Sequence, residues 1–134
     1  MVGVGNPGGG GVVEIEAIAP IDRTEAAQCL GRVQDPAGIA TPASMAAAGQ
    51  PMRVTTEAGA LVFVATKRAE TLWIEAAQGQ GAQDFTALGL ELAQRTAQHT
   101  GCESVSFQTA RRGLVKKAEQ HGFKVVGWIL KKEV

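Results

Sequence analysis

A lone carboxylate, a glycine-spaced run of amides and two neighbouring arginines are the residues of this chain whose types and spacing suit chemistry. Glu75 stands in Leu72-Trp73-Ile74-Glu75-Ala76-Ala77, which leads directly into Gln78-Gly79-Gln80-Gly81-Ala82-Gln83 and then Asp84. A carboxylate near the end of a strand can take a proton from a bound amine, directly or through water. Glycines let a backbone approach an anionic ligand closely, and the free N–H groups of a helix start attract phosphate or carboxylate. Arg111, Arg112, Lys116 and Lys117 gather at the start of a second predicted helix, where a guanidinium can pair with phosphate oxygens. Each feature also has a plain structural reading. Glu75 is then a solvent-facing residue alternating with Trp73 or Ile74, the glycine run a strand-to-helix loop, and the basic cluster a solvated helix face. Asp84 would compete for the same N–H groups as a ligand, whereas cations gathered at a helix N-terminus oppose its dipole and point to a bound anion.

The remaining reactive side chains read as structural. His99 and His121 each fall in the last turn of a predicted helix, where a cation is favoured by the dipole and capping is the expected role. Cys29 and Cys102 are isolated, make no metal-ligand spacing and read as reduced thiols. Trp73 and Trp128 read most simply as core residues, with a sheet edge or a contact between two copies as the alternative for one of them.

The gross numbers bound the answer. A chain of 134 residues with 45% apolar and 19% charged residues suits one domain with a single sizeable core. Lys+Arg and Asp+Glu both number 13, so bulk charge points to no nucleic-acid or anionic-membrane partner, although a local phosphate site remains open. No apolar run approaches the roughly 20 residues that cross a bilayer, and the N-terminus carries no secretory pattern, so the expected location is cytoplasmic.

Period and punctuation then supply the elements that must position these groups. Residues 1–11, with Asn6-Pro7 and four consecutive glycines after them, are expected to form a flexible tail preceding a single domain over 12–134. A strand is predicted over 12–18, followed by a helix capped by Asp22 with Glu25 completing a capping-box-like pair and Gly31 ending it. Thr41-Pro42 opens a short alanine helix to Ala48. Residues 53–57, 61–66 and 72–76 then alternate with period two and form an antiparallel meander. A helix from Asp84 to Gly101, a strand over 104–108, a helix over 112–121 stopped by Gly122 and a long apolar strand over 123–130 complete the chain. This order predicts an α/β (α+β) fold with a central mixed sheet flanked by helices.

On these residues the chain resembles the GNAT superfamily of N-acyltransferases, whose strand runs into a turn of the form Gln/Arg-x-x-Gly-x-Gly/Ala at a helix start. Gln78 and Gly81 match that pattern, while Gln83 stands where a small residue is usual; His121-Gly122-Phe123 and the apolar run after it look like the family's last helix and following strand. Specific matches are confined to 72–130. The resemblance implies a GNAT-like fold, acetyl-CoA or a related acyl-CoA as cofactor, and transfer to a small-molecule or protein amine. It implies cofactor contacts from Gln78, Gly79, Gln80, Gly81, Ala82, Gln83, Arg111 and Arg112, with Glu75 as the base. The chain departs from the family where a tyrosine commonly protonates the leaving thiolate: that position is Ala118, and there is no tyrosine anywhere. Lys117 and Arg111 also replace a usual apolar residue and a common Asn. The run Ala110-Arg111-Arg112-Gly113-Leu114-Val115 is similar to short GNAT-like proteins of bacteriophages and prophages, which implies a non-catalytic binding or assembly module as the alternative. A homodimer is compatible with either reading.

Overall fold

A computed structural model of the chain describes residues 2–5, 12–81 and 83–134. Among the described residues six strands form one mixed sheet in the order β1-β2-β3-β4-β5-β6, with β1 spanning Val2–Gly5, β2 Val12–Pro20, β3 Met52–Thr56, β4 Gly59–Arg68, β5 Thr71–Gly81 and β6 Ser104–Phe107. Neighbours from β1 to β5 are antiparallel, and among the described residues only β5 and β6 run parallel. Parallel strands need a crossover, and the helix α3 (Thr86–His99) supplies it. Helices α1 (Arg23–Cys29) and α2 (Pro42–Ala47) follow β2, and α4 (Arg112–Gln120) follows β6. The expected mixed sheet with flanking helices is therefore what the chain forms.

Local chemistry accounts for the helix starts. The Asp22 carboxylate accepts the N–H groups of Thr24 and Glu25, capping α1 as expected. Glu25 does not return the bond; its carboxylate pairs instead with Arg53 at 2.6 Å, tying α1 to β3. At α2, Thr41 and Ser44 satisfy each other's backbone N–H groups reciprocally.

Side-chain alternation along β4 puts two apolar clusters on opposite faces of the sheet. Val62 and Val64 meet Ala26, Leu30, Met45 and Ala46 on the face covered by α1 and α2. Leu61 and Phe63 meet Ile15, Val54, Phe85 and Leu88 on the face covered by α3.

Three expectations need correction. Residues 2–5 are not tail: they pair with β2 from Val2↔Ile15 to Gly5↔Val12, on the edge of β2 that β3 leaves open. The tail expectation for residues 1 and 6–11 lies outside the described residues. The glycine run is not a turn either. Gln78, Gly79, Gln80 and Gly81 continue β5, paired with Val62, Leu61, Ala60 and Gly59 of β4. Lastly, residues 123–130 join no ladder; among the described residues no strand follows α4, and Val126, Trp128 and Leu130 are exposed. Apolar alternation specifies a strand only where a neighbouring edge is available to it.

Candidate functional site

The sheet opens where its one parallel pair ends. Four pairs join β5 to β6, from Thr71↔Ser104 to Ile74↔Phe107, after which β6 stops and β5 runs on to Gly81. At that point β5 bulges: its ladder with β4 steps from Ala65↔Ile74 to Val64↔Ala76 and leaves Glu75 without a partner of its own. A bulge bends and twists its strand, so β5 turns away from β6 where the parallel ladder ceases. Beyond Glu75 one edge of β5 faces open space, with backbone N–H and C=O groups directed into it.

A cleft of about 840 Å³ occupies the gap. Its lining comes from both faces of the sheet: Met45 and Ala76 from the side of α1 and α2, Leu61 and Phe85 from the side of α3. The volume lies in the range of small-ligand sites. Arg32, Arg68 and Arg111 bring positive charge to the walls, and Asp35, Glu75 and Asp84 bring negative charge.

Glu75 lies on the cleft, in keeping with its place beside the bulge, but its carboxylate is engaged. Oε1 accepts from Thr66 Oγ1 at 2.9 Å and from Arg68 Nη2 at 2.8 Å, and the Glu75 side chain is only 15% exposed. The Arg68 guanidinium in turn lies 4.6 Å from the centre of the Trp73 ring, a cation–π contact that holds it over the strand.

The glycine run divides into separate parts. Gln78 lines the cleft, and its Oε1 accepts the Arg32 N–H at 3.0 Å, fastening the loop after α1 to β5. Gly79 packs under Phe85, whose Cδ2 lies 2.7 Å from where a Cβ would sit. Gly81 has φ +112°, and a Cβ there would stand 2.5 Å from the Ala58 carbonyl oxygen. Both glycines thus have packing reasons that involve no ligand. Gln80 and Gly81 do not line the cleft; Gln83 does, and its Oε1 accepts from Thr56 Oγ1 at 3.3 Å. The contact expected from Ala82 lies outside the described residues.

The two helix starts nearest the cleft differ. At α3 the Asp84 carboxylate accepts the Thr86 N–H at 2.9 Å, and its other oxygen pairs with Lys117 Nζ at 2.5 Å. The Lys117 ammonium, then the Thr86 N–H, lowers the Asp84 pKa to about 2. The helix end that sequence offered to a diphosphate already holds a protein carboxylate. At α4 the N-cap Arg111 makes no side-chain cap, no acidic residue lies in the first turn, and Thr109 Oγ1 accepts the Arg111 N–H at 3.0 Å. Arg111 lines the cleft, whereas Arg112 is exposed and does not. Ala118, where the resemblance expects a tyrosine, is buried and carries no proton donor.

Sequence reasoning missed Arg32, Arg68 and Asp35. Asp35 shapes the wall after α1: its carboxylate accepts N–H groups of Ala37, Ile39 and Ala40, and those bonds, Ala40 first, lower its pKa. A polar side chain followed at short spacing by small residues is the signal that marks such a loop. Nothing in the sequence announces Arg68, since its pairing with Glu75 depends on the β4–β5 hairpin. Among the described residues no group of three His, Cys, Asp or Glu side chains is arranged to hold a metal, and no helix is long and apolar enough to cross a membrane.

No family model matches the chain, and no curated protein matches it. Among solved structures it is similar to a point mutant of TTHA1254 from Thermus thermophilus. The two share 18% identity at a TM-score of 0.50, over 88% of this chain and 96% of that one. At such identity the likeness speaks to the arrangement of strands and helices and not to chemistry.

Proposed function

We propose that the cleft binds an acyl-coenzyme A and that the chain transfers the acyl group to an amine, as a small GNAT-like N-acyltransferase. The observation that carries this reading is the parting of β5 from β6 after Ile74–Phe107, with the free edge of β5 inside a cleft reaching both faces. An extended chain bearing amides can lie along that edge as a short added strand. The apolar lining suits its methylenes, and access from two faces lets two substrates meet at the gap.

The fit differs along the ligand. The edge of β5 and the apolar walls suit the pantetheine-like arm and the acyl group. The diphosphate meets a protein carboxylate at α3, where Asp84 holds the Thr86 N–H. Arg111, beside the uncapped start of α4, and Arg32 are the cleft cations not committed to Glu75, and they would hold the phosphates. Bound, the coenzyme supplies an activated thioester carbonyl. Glu75 would accept the amine proton, with Arg68 and Thr66 orienting its carboxylate. Protonation of the departing thiolate would fall to water, since Ala118 offers no donor.

Calorimetric titration with acetyl-CoA, followed by a thiol-release assay over a panel of amines, tests the reading. The expected result is saturable binding, weakened about tenfold or more by Arg111→Ala, with thiol release that Glu75→Gln abolishes. No stabilisation or heat at millimolar acetyl-CoA would overturn the coenzyme site. A second reading, a silent binding module, is favoured by the Arg68–Glu75 ion pair; it predicts binding without thiol release for any amine.

A further inference from the structure

On the sheet face covered by α1 and α2, two opposite charges stand side by side in the cleft. Alternation along β4 puts Thr66 and Arg68 on the face of Val62 and Val64, and Trp73, paired with Thr66, shares it. Glu75 joins them through the bond from Thr66. Only part of this ion pair is spent within the protein. Thr66 Oγ1 and Arg68 Nη2 both donate to Glu75 Oε1, and among the described residues Oε2 accepts no hydrogen bond. No buried side-chain oxygen among those residues lacks a partner, so Oε2 is open to solvent. Arg68 commits a single N–H to Glu75, and its side chain is 58% exposed. Trp73 lies against the face of the guanidinium at 4.6 Å, which leaves the remaining in-plane N–H groups free to donate.

We propose that this pair holds a free α-amino acid, Glu75 Oε2 taking its ammonium and the outer N–H groups of Arg68 its carboxylate. The inference rests on the proposed transferase reading, whose acceptor it names. The charges decide the class. A plain amine held at Glu75 as a cation meets the Arg68 guanidinium, itself 2.8 Å from the same carboxylate, and is repelled by it. A carboxylate on the acceptor's adjoining carbon reverses that balance. Four charges then close a ring in which each lies between two of opposite sign. An α-ammonium and its α-carboxylate share one carbon, so they stand about as close as the charges of the protein pair. The N-terminus of a peptide carries no such anion and is disfavoured. Val33, Met45 and Ala76 line the cleft on this face and suit an aliphatic side chain. In turnover the bound ammonium first passes one proton through Glu75 to solvent. Its nitrogen then bonds to the thioester carbonyl carbon as the C–S bond breaks. The second proton goes to Glu75 and water protonates the thiolate, for a net release of one proton. The ion pair that engages the base is thus also what selects the acceptor.

Nuclear magnetic resonance titration, read at the Thr66 amide and the Trp73 indole, tests the pair with four compounds. L-leucine carries both charges, whereas L-leucinamide, isopentylamine and isocaproate each lack one. L-leucine is expected to bind at least about tenfold tighter than the other three. Arg68→Gln is expected to erase that advantage, weakening leucine while strengthening the two amines, from which it removes a like charge. Arg68→Lys keeps the charge and should retain most of the preference. A merely structural Arg68 would instead weaken every ligand alike, and that result would overturn the proposal. Thiol release from acetyl-CoA is then expected to favour leucine over leucinamide and isopentylamine. Leucine binding with this selectivity but no thiol release would uphold the amino-acid site and overturn the transferase reading alone. Leucinamide or isopentylamine binding as tightly as leucine would overturn the proposal. So would unmoved Thr66 and Trp73 signals at high millimolar leucine, with and without acetyl-CoA.

Discussion

The meander and the segment beyond it are held by different means. β4 and β5 share ten paired positions, from Gly59↔Gly81 to Arg68↔Thr71, whereas β5 and β6 share four. Every buried member of the two apolar clusters lies at or before Leu88; past that point burial is confined to Leu90, Ala97 and Ala118. The C-terminal part is attached by the four β5–β6 pairs and by Lys117 on Asp84, and Phe123 packs on Phe107 to hold the last segment to β6. Apolar area removed from water scales with the packed surface, so stability is concentrated in the meander with α1, α2 and α3. The cleft lies on the boundary, one wall rigid and one tethered, an arrangement in which the less stable wall is free to adjust to a ligand.

Truncating one residue on each side gives the largest test. Leu30 is fully buried under β4, and Leu30→Ala should cost about 2–5 kcal/mol in urea unfolding. Leu114→Ala, on the partly exposed face of α4, should cost under about 1 kcal/mol. Equal losses would break the comparison.

Glycine substitutions sharpen it. Gly81→Ala places a Cβ 2.5 Å from the Ala58 carbonyl oxygen at φ +112°. It should cost about 1–3 kcal/mol, because neither backbone can give way inside the hairpin. Gly113→Ala in α4 meets nothing within 4 Å and should instead stabilise the chain by up to about 1 kcal/mol. Opposite signs in thermal unfolding are the expected outcome; the same sign would mean that α4 is as tightly set as β5.

What could be read in the sequence follows the same division. Asp22 and Thr41 declare their helices because a cap is a local arrangement between a side chain and the backbone a few residues on. The three meander strands and α3 are legible for a similar reason, since period and breakers lie within one window. Gln78 to Gly81 were misread as a turn because their strand character is imposed from outside: β4 pairs with them, and Phe85 takes the space that Gly79 leaves. The C-terminal run errs in the other direction, with a sound strand pattern and no edge to receive it. At the site, Glu75 and Arg111 were visible as residue types, but the bulge, the gap and Arg68 arise from register, which no single segment encodes.

The smallest effect concerns the tether between the two regions. Asp84 has its pKa lowered to about 2 by Lys117 and the Thr86 N–H, below the unfolded value of about 3.9. A depressed carboxylate pKa contributes stability that is present above the unfolded value and lost as pH falls through the folded one. The window is therefore from about pH 4 down to about pH 2. Asp84 is 62% exposed and Lys117 50%, so solvent screens the pair and the difference should stay under about 1 kcal/mol. Lys117→Met removes the ammonium while keeping most of the stem's packing, and Asp84 retains the Thr86 bond. Wild type should then lose stability more steeply than the variant across that window, and added salt should narrow the gap. Hydrogen exchange supplies the spatial readout: with the tether cut, α4 amides should exchange faster while those of β4 stay unchanged. Parallel pH curves with unchanged α4 exchange would mean that Phe107 and Phe123 alone hold this wall, leaving Asp84 free to yield the start of α3 to a ligand.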